Sequence, residues 1–300
     1  MTRDAERGQG TVEWIALVVL VSVLVLGLGA AVGIGVPGTE LARALASRLI
    51  CAVGLSSDCA PERRRLAAAY GEELAGLVTE HAPTVLYEPG MRALPVDYRR
   101  CRKDDCAEGA ETGTIWRSRS GEPVVAFTRA IDCRPSATSP PDQGSVDCSG
   151  GAAGNAYLQY WFYYPGSATG EGSIAPGLVR TVTGGIESVT SRAGVKVASY
   201  HPDDWETYQL RIGPDGRFAR ASSHRSYGPG WLPEHGAFRV SGGSHAGSIE
   251  GQEAERWTPA DRLSLIPLEP IAARRPGVEF AITPPWRKRV WREPEYERTG

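Results

Sequence analysis

The chain has 300 residues, with 33 basic against 35 acidic side chains and a formal charge of −2, so its charge gives no argument for a nucleic-acid partner. Its 36 glycines and 22 prolines exclude an all-helical body and favour a mainly β one with many turns. The length leaves room for a membrane span, a linker and one domain of about 200 residues, large enough for a real core. From Ile15 to Gly35 no side chain is charged, and Ser22 is the only hydroxyl. At about 1.5 Å per helical residue this run spans roughly 30 Å, the thickness of a bilayer's hydrocarbon core. It lacks the polar stripe of a globular core helix, so it reads as one transmembrane helix (15–35) after a leader (1–14). A helical linker follows over 36–81. Thr39 caps a short stretch to Ile50, and Pro61-Glu62 opens a helix to about Glu80 with Leu66, Ala69, Tyr70, Leu74 and Leu77 at helical spacing. From Ala82 short apolar bursts alternate with Gly, Pro, Asp and Ser. They predict strands at Thr84–Tyr87, Gly113–Arg117, Pro123–Thr128, Ala156–Tyr164, Trp205–Ile212, Arg217–Ser222 and Phe238–Ser241. Two long insertions, 136–153 and 166–194, interrupt a domain that runs over 82–283. A basic and aromatic tail, 284–300, carries Pro284–Arg292 (PPWRKRVWR), which is expected to pack on the domain, the alternative being contact with anionic envelope polymers or lipid headgroups.

The entry to the span is chemically odd. Glu13 stands one residue before the apolar run, where an unpaired carboxylate costs a few kcal/mol. The stretch Arg7-Gly8-Gln9-Gly10-Thr11-Val12-Glu13-Trp14 resembles the leader of Flp-type (tight-adherence) pilins and their pseudopilin relatives. That resemblance implies cleavage between Gly8 and Gln9, which makes Glu13 the fifth residue of the mature chain. It also implies that the new N-terminal amine of one subunit neutralises Glu13 of its neighbour during assembly. The residue-level alternatives are an uncleaved anchor whose Glu13 snorkels to the interface, and a removed secretory signal.

The flanking arginines (Arg3 and Arg7 before the span, Arg43 and Arg48 after it) barely decide orientation. The cysteines decide it better. Cys51, Cys59, Cys101, Cys106, Cys133 and Cys148 all follow the span in close couples, which suits an oxidising compartment and three disulfides, sequential pairing being the simplest of fifteen connectivities. The spacing Cys101-x4-Cys106 is compatible with zinc, but no second close couple completes a tetrahedral set. The expected topology is a cytoplasmic N-terminus and an extracytoplasmic body in the cell membrane.

One cluster of ligand-type residues stands out, Tyr200-His201-Pro202-Asp203-Asp204-Trp205-Glu206. In a strand, Asp204 and Glu206 share a face with Tyr208, Leu210 and Ile212, while Trp205, Thr207 and Gln209 take the other. Two carboxylates on an apolar face need a cation, an arginine or protonation. A hard divalent cation, Ca²⁺ or Mg²⁺, suits such oxygen ligands, and His201 can fold back toward them; the alternative is a solvated turn entering a strand.

Residues 82–87 (APTVLY), Leu158–Tyr164 (LQYWFYY), His201–Glu206, Ser222-Ser223-His224 and Gly243-Ser244-His245-Ala246 occur in that order. Together they resemble the vacuolar protein sorting-associated protein 62-like family over roughly residues 80–250. The His-x-x-Asp-Trp-Glu box is also similar to one in necrosis- and ethylene-inducing-peptide-like proteins, secreted β-sandwich cytolysins in which the box helps to hold a divalent cation used in binding membrane sphingolipids. By position, this resemblance implies metal ligands His201, Asp204 and Glu206. The second histidine of that family's box is Asp203 here, and its upstream acidic ligand has no counterpart, so the cytolytic role is not carried over. His224 and His245, each beside serines, are expected near the same cleft. Ser244, His224 and Asp204 make a hydrolase triad on paper, without the Gly-x-Ser-x-Gly elbow that such enzymes use.

The resulting expectation is a mainly β, jelly-roll-like β-sandwich outside the membrane, carried by an N-terminal transmembrane helix and a short helical linker. Its role is binding or assembly, with the membrane, pilin-like subunits, an envelope polymer or a lipid as partners. The alternative is a metal-dependent hydrolase that uses the same cleft.

Overall fold

The computed structural model describes residues 61–298 apart from 89–90, 92, 110–114, 136–145, 170–198, 223–225, 251–257, 261 and 269–278. Gly8, Gln9, Glu13, the expected span, Cys51, Cys59 and His224 lie outside the described residues. Among the described residues no helix is long and apolar enough to cross a membrane.

The expected helix after Pro61 forms as two, α1 (Glu62–Tyr70) and α2 (Glu72–Glu80), because Gly71 turns left-handed (φ 81°) and its N–H closes on Ala67 O at 2.8 Å. Grouped with the linker by sequence, these helices lie within one compact unit of the chain, Pro61–Gly300, and contribute Leu66, Leu74, Ala75 and Val78 to its core. The Tyr70 hydroxyl bonds Thr128 O at 2.5 Å, and the Tyr160 hydroxyl bonds Val78 O at 2.8 Å, which seats both helices on the sheet.

Ten described strands form two mixed sheets. They are β1 (Thr84–Tyr87), β2 (Val125–Asp132), β3 (Ala156–Thr169), β4 (Ser199–Gly213), β5 (Gly216–Ala221), β6 (Leu232–Pro233), β7 (Ala237–Val240), β8 (Gly247–Ser248), β9 (Thr258–Pro259) and β10 (Ser264–Pro267). The larger sheet runs β10-β2-β3-β4-β5-β6 and the smaller β8-β7-β1-β9. All pairs are antiparallel except β10 with β2 and β1 with β7. The mainly β expectation therefore holds. A jelly roll alternates its strands between antiparallel sheets, whereas here β2 to β6 follow one another within one sheet and each sheet carries a parallel pair. The strand expected over Gly113–Arg117 leaves only an isolated bridge, Arg117 with Pro123, at its described end.

β3 is buried on both faces, which is why LQYWFYY reads as an unbroken apolar run. One face carries Leu158, Tyr160, Phe162 and Tyr164 into a cluster shared with Val85, Tyr87, Phe238 and Val240 of the smaller sheet, where Phe162 and Phe238 stack at 4.8 Å. The other face carries Trp161 and Tyr163 under Tyr98, Trp205, Val290 and Trp291. Each fully buried large side chain contributes roughly 1.5–3 kcal/mol. The expected tail is thus the cover of the second face: Pro285, Lys288, Val290 and Trp291 are buried. Cys101 pairs with Cys106, which lies within the one-turn helix α3 (Asp104–Ala107), and Cys133 pairs with Cys148, as sequential pairing predicts.

Candidate functional site

The box enters the sheet earlier than expected, since β4 pairs with β3 from Ser199 onward, placing His201 opposite Ser167 and Pro202 opposite Gly166. Pro202 is tolerated there because β5 reaches β4 only from Tyr208, leaving this end an edge. The expected alternation is observed. Asp204 faces Tyr164, Glu206 faces Phe162, Tyr208 faces Tyr160 and Leu210 faces Leu158 on the inter-sheet side, and Trp205 lies in the opposite cluster.

Asp203 and Asp204 have different fates. Asp203 has a left-handed backbone (φ 60°), and its carboxylate accepts Arg102 Nη2 at 2.9 Å on both oxygens, the Tyr163 hydroxyl at 2.6 Å and Ala281 N–H at 2.9 Å. Fully partnered in this way, it is a structural hub. Asp204 turns inward and bonds His245 Nδ1 through Oδ2 at 3.0 Å, with both side chains buried. The His245 ring lies flat on Tyr164, centroids 3.9 Å apart and planes 8° from parallel. His245 is itself left-handed (φ 54°), at the end of a turn that the Ser167 hydroxyl holds through Gly243 O at 3.3 Å. With the Asp204 carboxylate on Nδ1, the imidazole presents Nε2 as its second nitrogen.

Glu206 accepts the Ser222 hydroxyl, which also receives Thr207 N–H at 2.7 Å. Burial and the neighbouring Asp204 carboxylate hold the Glu206 carboxyl well above its ordinary range, against the pull of the Ser222 hydroxyl and the Lys288 charge. Burial likewise pushes Lys288 down, opposed by Glu206 and Asp204. The Tyr164 and Tyr87 hydroxyls, both fully buried, have no hydrogen-bond partner among the described residues, and burial foremost holds their phenols neutral. The inter-sheet end of β4 thus gathers two carboxylates, a serine hydroxyl and orphan phenols in a water-poor space.

The expected ligand triad is only partly assembled. Asp204 and Glu206 come together, but His245, from the Gly-Ser-His-Ala segment, takes the place at Asp204 expected of His201. The His201 Nδ1 atom is buried without a hydrogen-bond partner among the described residues. Among the described residues no three of His, Cys, Asp and Glu converge closely enough to hold an ion. Tyr164 and Ser222 sit in segments that the sequence singles out as near the site, whereas Arg102 and Lys288 lie in the Cys101–Cys106 and Pro284–Arg292 stretches, which it marks for other reasons; Arg102 lies 101 residues from the aspartate it binds. Compared with known proteins, the chain matches no family model, no curated protein and no solved structure.

Proposed function

We propose that this chain is a single-pass envelope protein that presents its two-sheet domain outside the cell membrane as a cation-dependent binding or assembly module, with a pilin-like N-terminus. The apolar run Ile15–Gly35 and the Gly8–Glu13 leader support the anchoring, and the paired cysteines support an oxidising compartment. The β-rich body is compatible with the resemblance to the vacuolar protein sorting-associated protein 62-like family. The observation that carries the cation reading is the Asp204–Glu206 acid pair on a buried face, where burial and the Asp204 carboxylate raise the Glu206 carboxyl despite the Lys288 charge and a bound cation would relieve the repulsion.

The donor types suit a hard cation, which would have to draw them together, since no three acidic, cysteine or histidine residues among those described converge as they stand. Asp204 and Glu206 would supply charge, and the Ser222 and Tyr164 hydroxyls neutral oxygen, while His245 would orient Asp204 from behind. A bound Ca²⁺ or Mg²⁺ would offset the repulsion of the two acids and draw β4 and the 242–246 turn together, offering a rigid surface to an envelope polymer, a lipid or another subunit.

The test is thermal unfolding of the full chain in detergent with EDTA, CaCl₂ or MgCl₂. The expected result is a rise in melting temperature with one of the cations, abolished by Asp204→Asn; equal melting with chelator and with both ions overturns the reading. A second reading, a hydrolase, is favoured by the Asp204–His245 pair, in which a buried carboxylate fixes an imidazole as in many general bases. In that case phosphoester or ester turnover would be lost in His245→Gln while cation binding persists.

A further inference from the structure

We infer that the Cys101–Cys106 disulfide holds the Asp203–Glu206 segment in place through Arg102, so that thiol–disulfide exchange at Cys106 controls the acid pair. The consequence for cation binding rests on the function proposed above; the mechanical coupling does not.

The disulfide closes Cys101-Arg102-Lys103-Asp104-Asp105-Cys106 into a small ring whose Cα atoms meet at 5.9 Å. From that ring Arg102 reaches Asp203 with bonds to both carboxylate oxygens, caps Glu279 O at 2.7 Å and lies over the Phe280 ring at 4.8 Å. The other two partners of Asp203, Tyr163 and Ala281, come from the sheet and the C-terminal cover. Arg102 is therefore the charge that balances Asp203, and it rides on a loop whose shape depends on a covalent bond. Asp203 sits in a left-handed backbone that a non-glycine residue keeps only when its surroundings dictate it, and the next residue is Asp204. Releasing Arg102 removes the counter-charge from Asp203 and lets the Asp203–Asp204 peptide relax, which turns Asp204 away from His245.

The two sulfurs differ in access. Cys101 is 1% exposed, whereas Cys106 is partly open to solvent. A thiolate of a dithiol reductant would attack Cys106 Sγ, forming a mixed disulfide and expelling Cys101 as a thiolate that takes a proton. The second thiol of the reductant then displaces Cys106, leaving the reductant as its own disulfide and the protein with two thiols. The Cys133–Cys148 bridge, packed by Ile131, Ala152, Tyr157 and Val146, touches none of the site residues and serves as a control.

The experiment is hydrogen exchange with mass spectrometry on the full chain without added cation. It compares wild type, Cys101→Ser/Cys106→Ser, Arg102→Gln and Cys133→Ser/Cys148→Ser, with dithiothreitol as the chemical probe on wild type. The expected result is exchange about tenfold faster in peptides covering 201–206 and 279–282 for the first double variant, for Arg102→Gln and for the reduced wild type, with the control unchanged there. Unchanged exchange in Cys101→Ser/Cys106→Ser overturns the inference, as does an equal acceleration in the control, which would mark general loosening. A calcium titration of the same samples separates the two readings. Faster exchange in a protein whose wild type ignores calcium and magnesium keeps the coupling and removes the cation function.

Discussion

Asp203 and His245 are the non-glycine residues with left-handed backbones among those described, and they bracket one hydrogen bond, Asp204 to His245. Asp203 is held by several polar contacts and His245 by one hydrogen bond and a ring stack, so substitution there reads backbone and charge together. Asp203→Ala, which leaves the Tyr163 hydroxyl and Ala281 N–H without their acceptor and puts alanine in a left-handed conformation, is expected to cost about 2–4 kcal/mol in urea unfolding. Asp203→Asn tolerates that backbone and is expected to cost about 1–3 kcal/mol. Glu206 supplies a pH signature. Its carboxyl is raised by burial and by Asp204, so the stability it contributes is complete below the ordinary carboxylate pKa of about 4.3 and is lost as pH rises through the raised folded value. With EDTA present, the melting temperature should fall as pH climbs from that ordinary value toward the raised one, and Glu206→Gln should flatten that slope. The pairing of Asp204 with Glu206 was legible because a strand's period of two is local. The exchange of His201 for His245 was not, since spacing within the box says nothing of which distant turn returns to it.

Elements were legible where their burial pattern is local and obscure where a partner decides. β1 matches its sequence expectation, and β3 and β4 were found but run longer, because each pairs with the other beyond its own apolar run. The helix break at Gly71 escaped the apolar periodicity, which continues across it. The short strand β8 is set by close approach rather than propensity. A Cβ on Gly247 would overlap the Phe238 ring and stand 2.9 Å from Ser222 O, so nothing larger than hydrogen fits. Gly247→Ala is therefore expected to destabilise by about 1–3 kcal/mol and to displace Ser222 from Glu206, read as a lowered urea midpoint with an unchanged slope.

At the scale of the whole molecule, the expected membrane placement makes a simple prediction about mass. The extracted chain should begin at Gln9 and be six hydrogens lighter before reduction than after, one pair for each of three disulfides, two of them Cys101–Cys106 and Cys133–Cys148. A chain that keeps residues 1–8 and has free thiols would count against both the leader and the topology. The β-rich class is visible in composition, and a tail packed on the domain is the favoured reading of PPWRKRVWR; which face it wraps is not visible, because the aromatic partners of Trp286 and Trp291 come from distant strands and loops. That wrapping has a temporal consequence. Glu295 takes hydrogen bonds from Tyr157, Trp231 and Arg211, and Pro294 O accepts Arg220, so the far end of the chain latches three strands and a loop made long before it. The second face of the sheet therefore stays open until the chain has emerged as far as Glu295. Until then Trp161, Tyr163 and Trp205 lack the Val290 and Trp291 part of their cover, which leaves the half-built sheet prone to aggregation during synthesis.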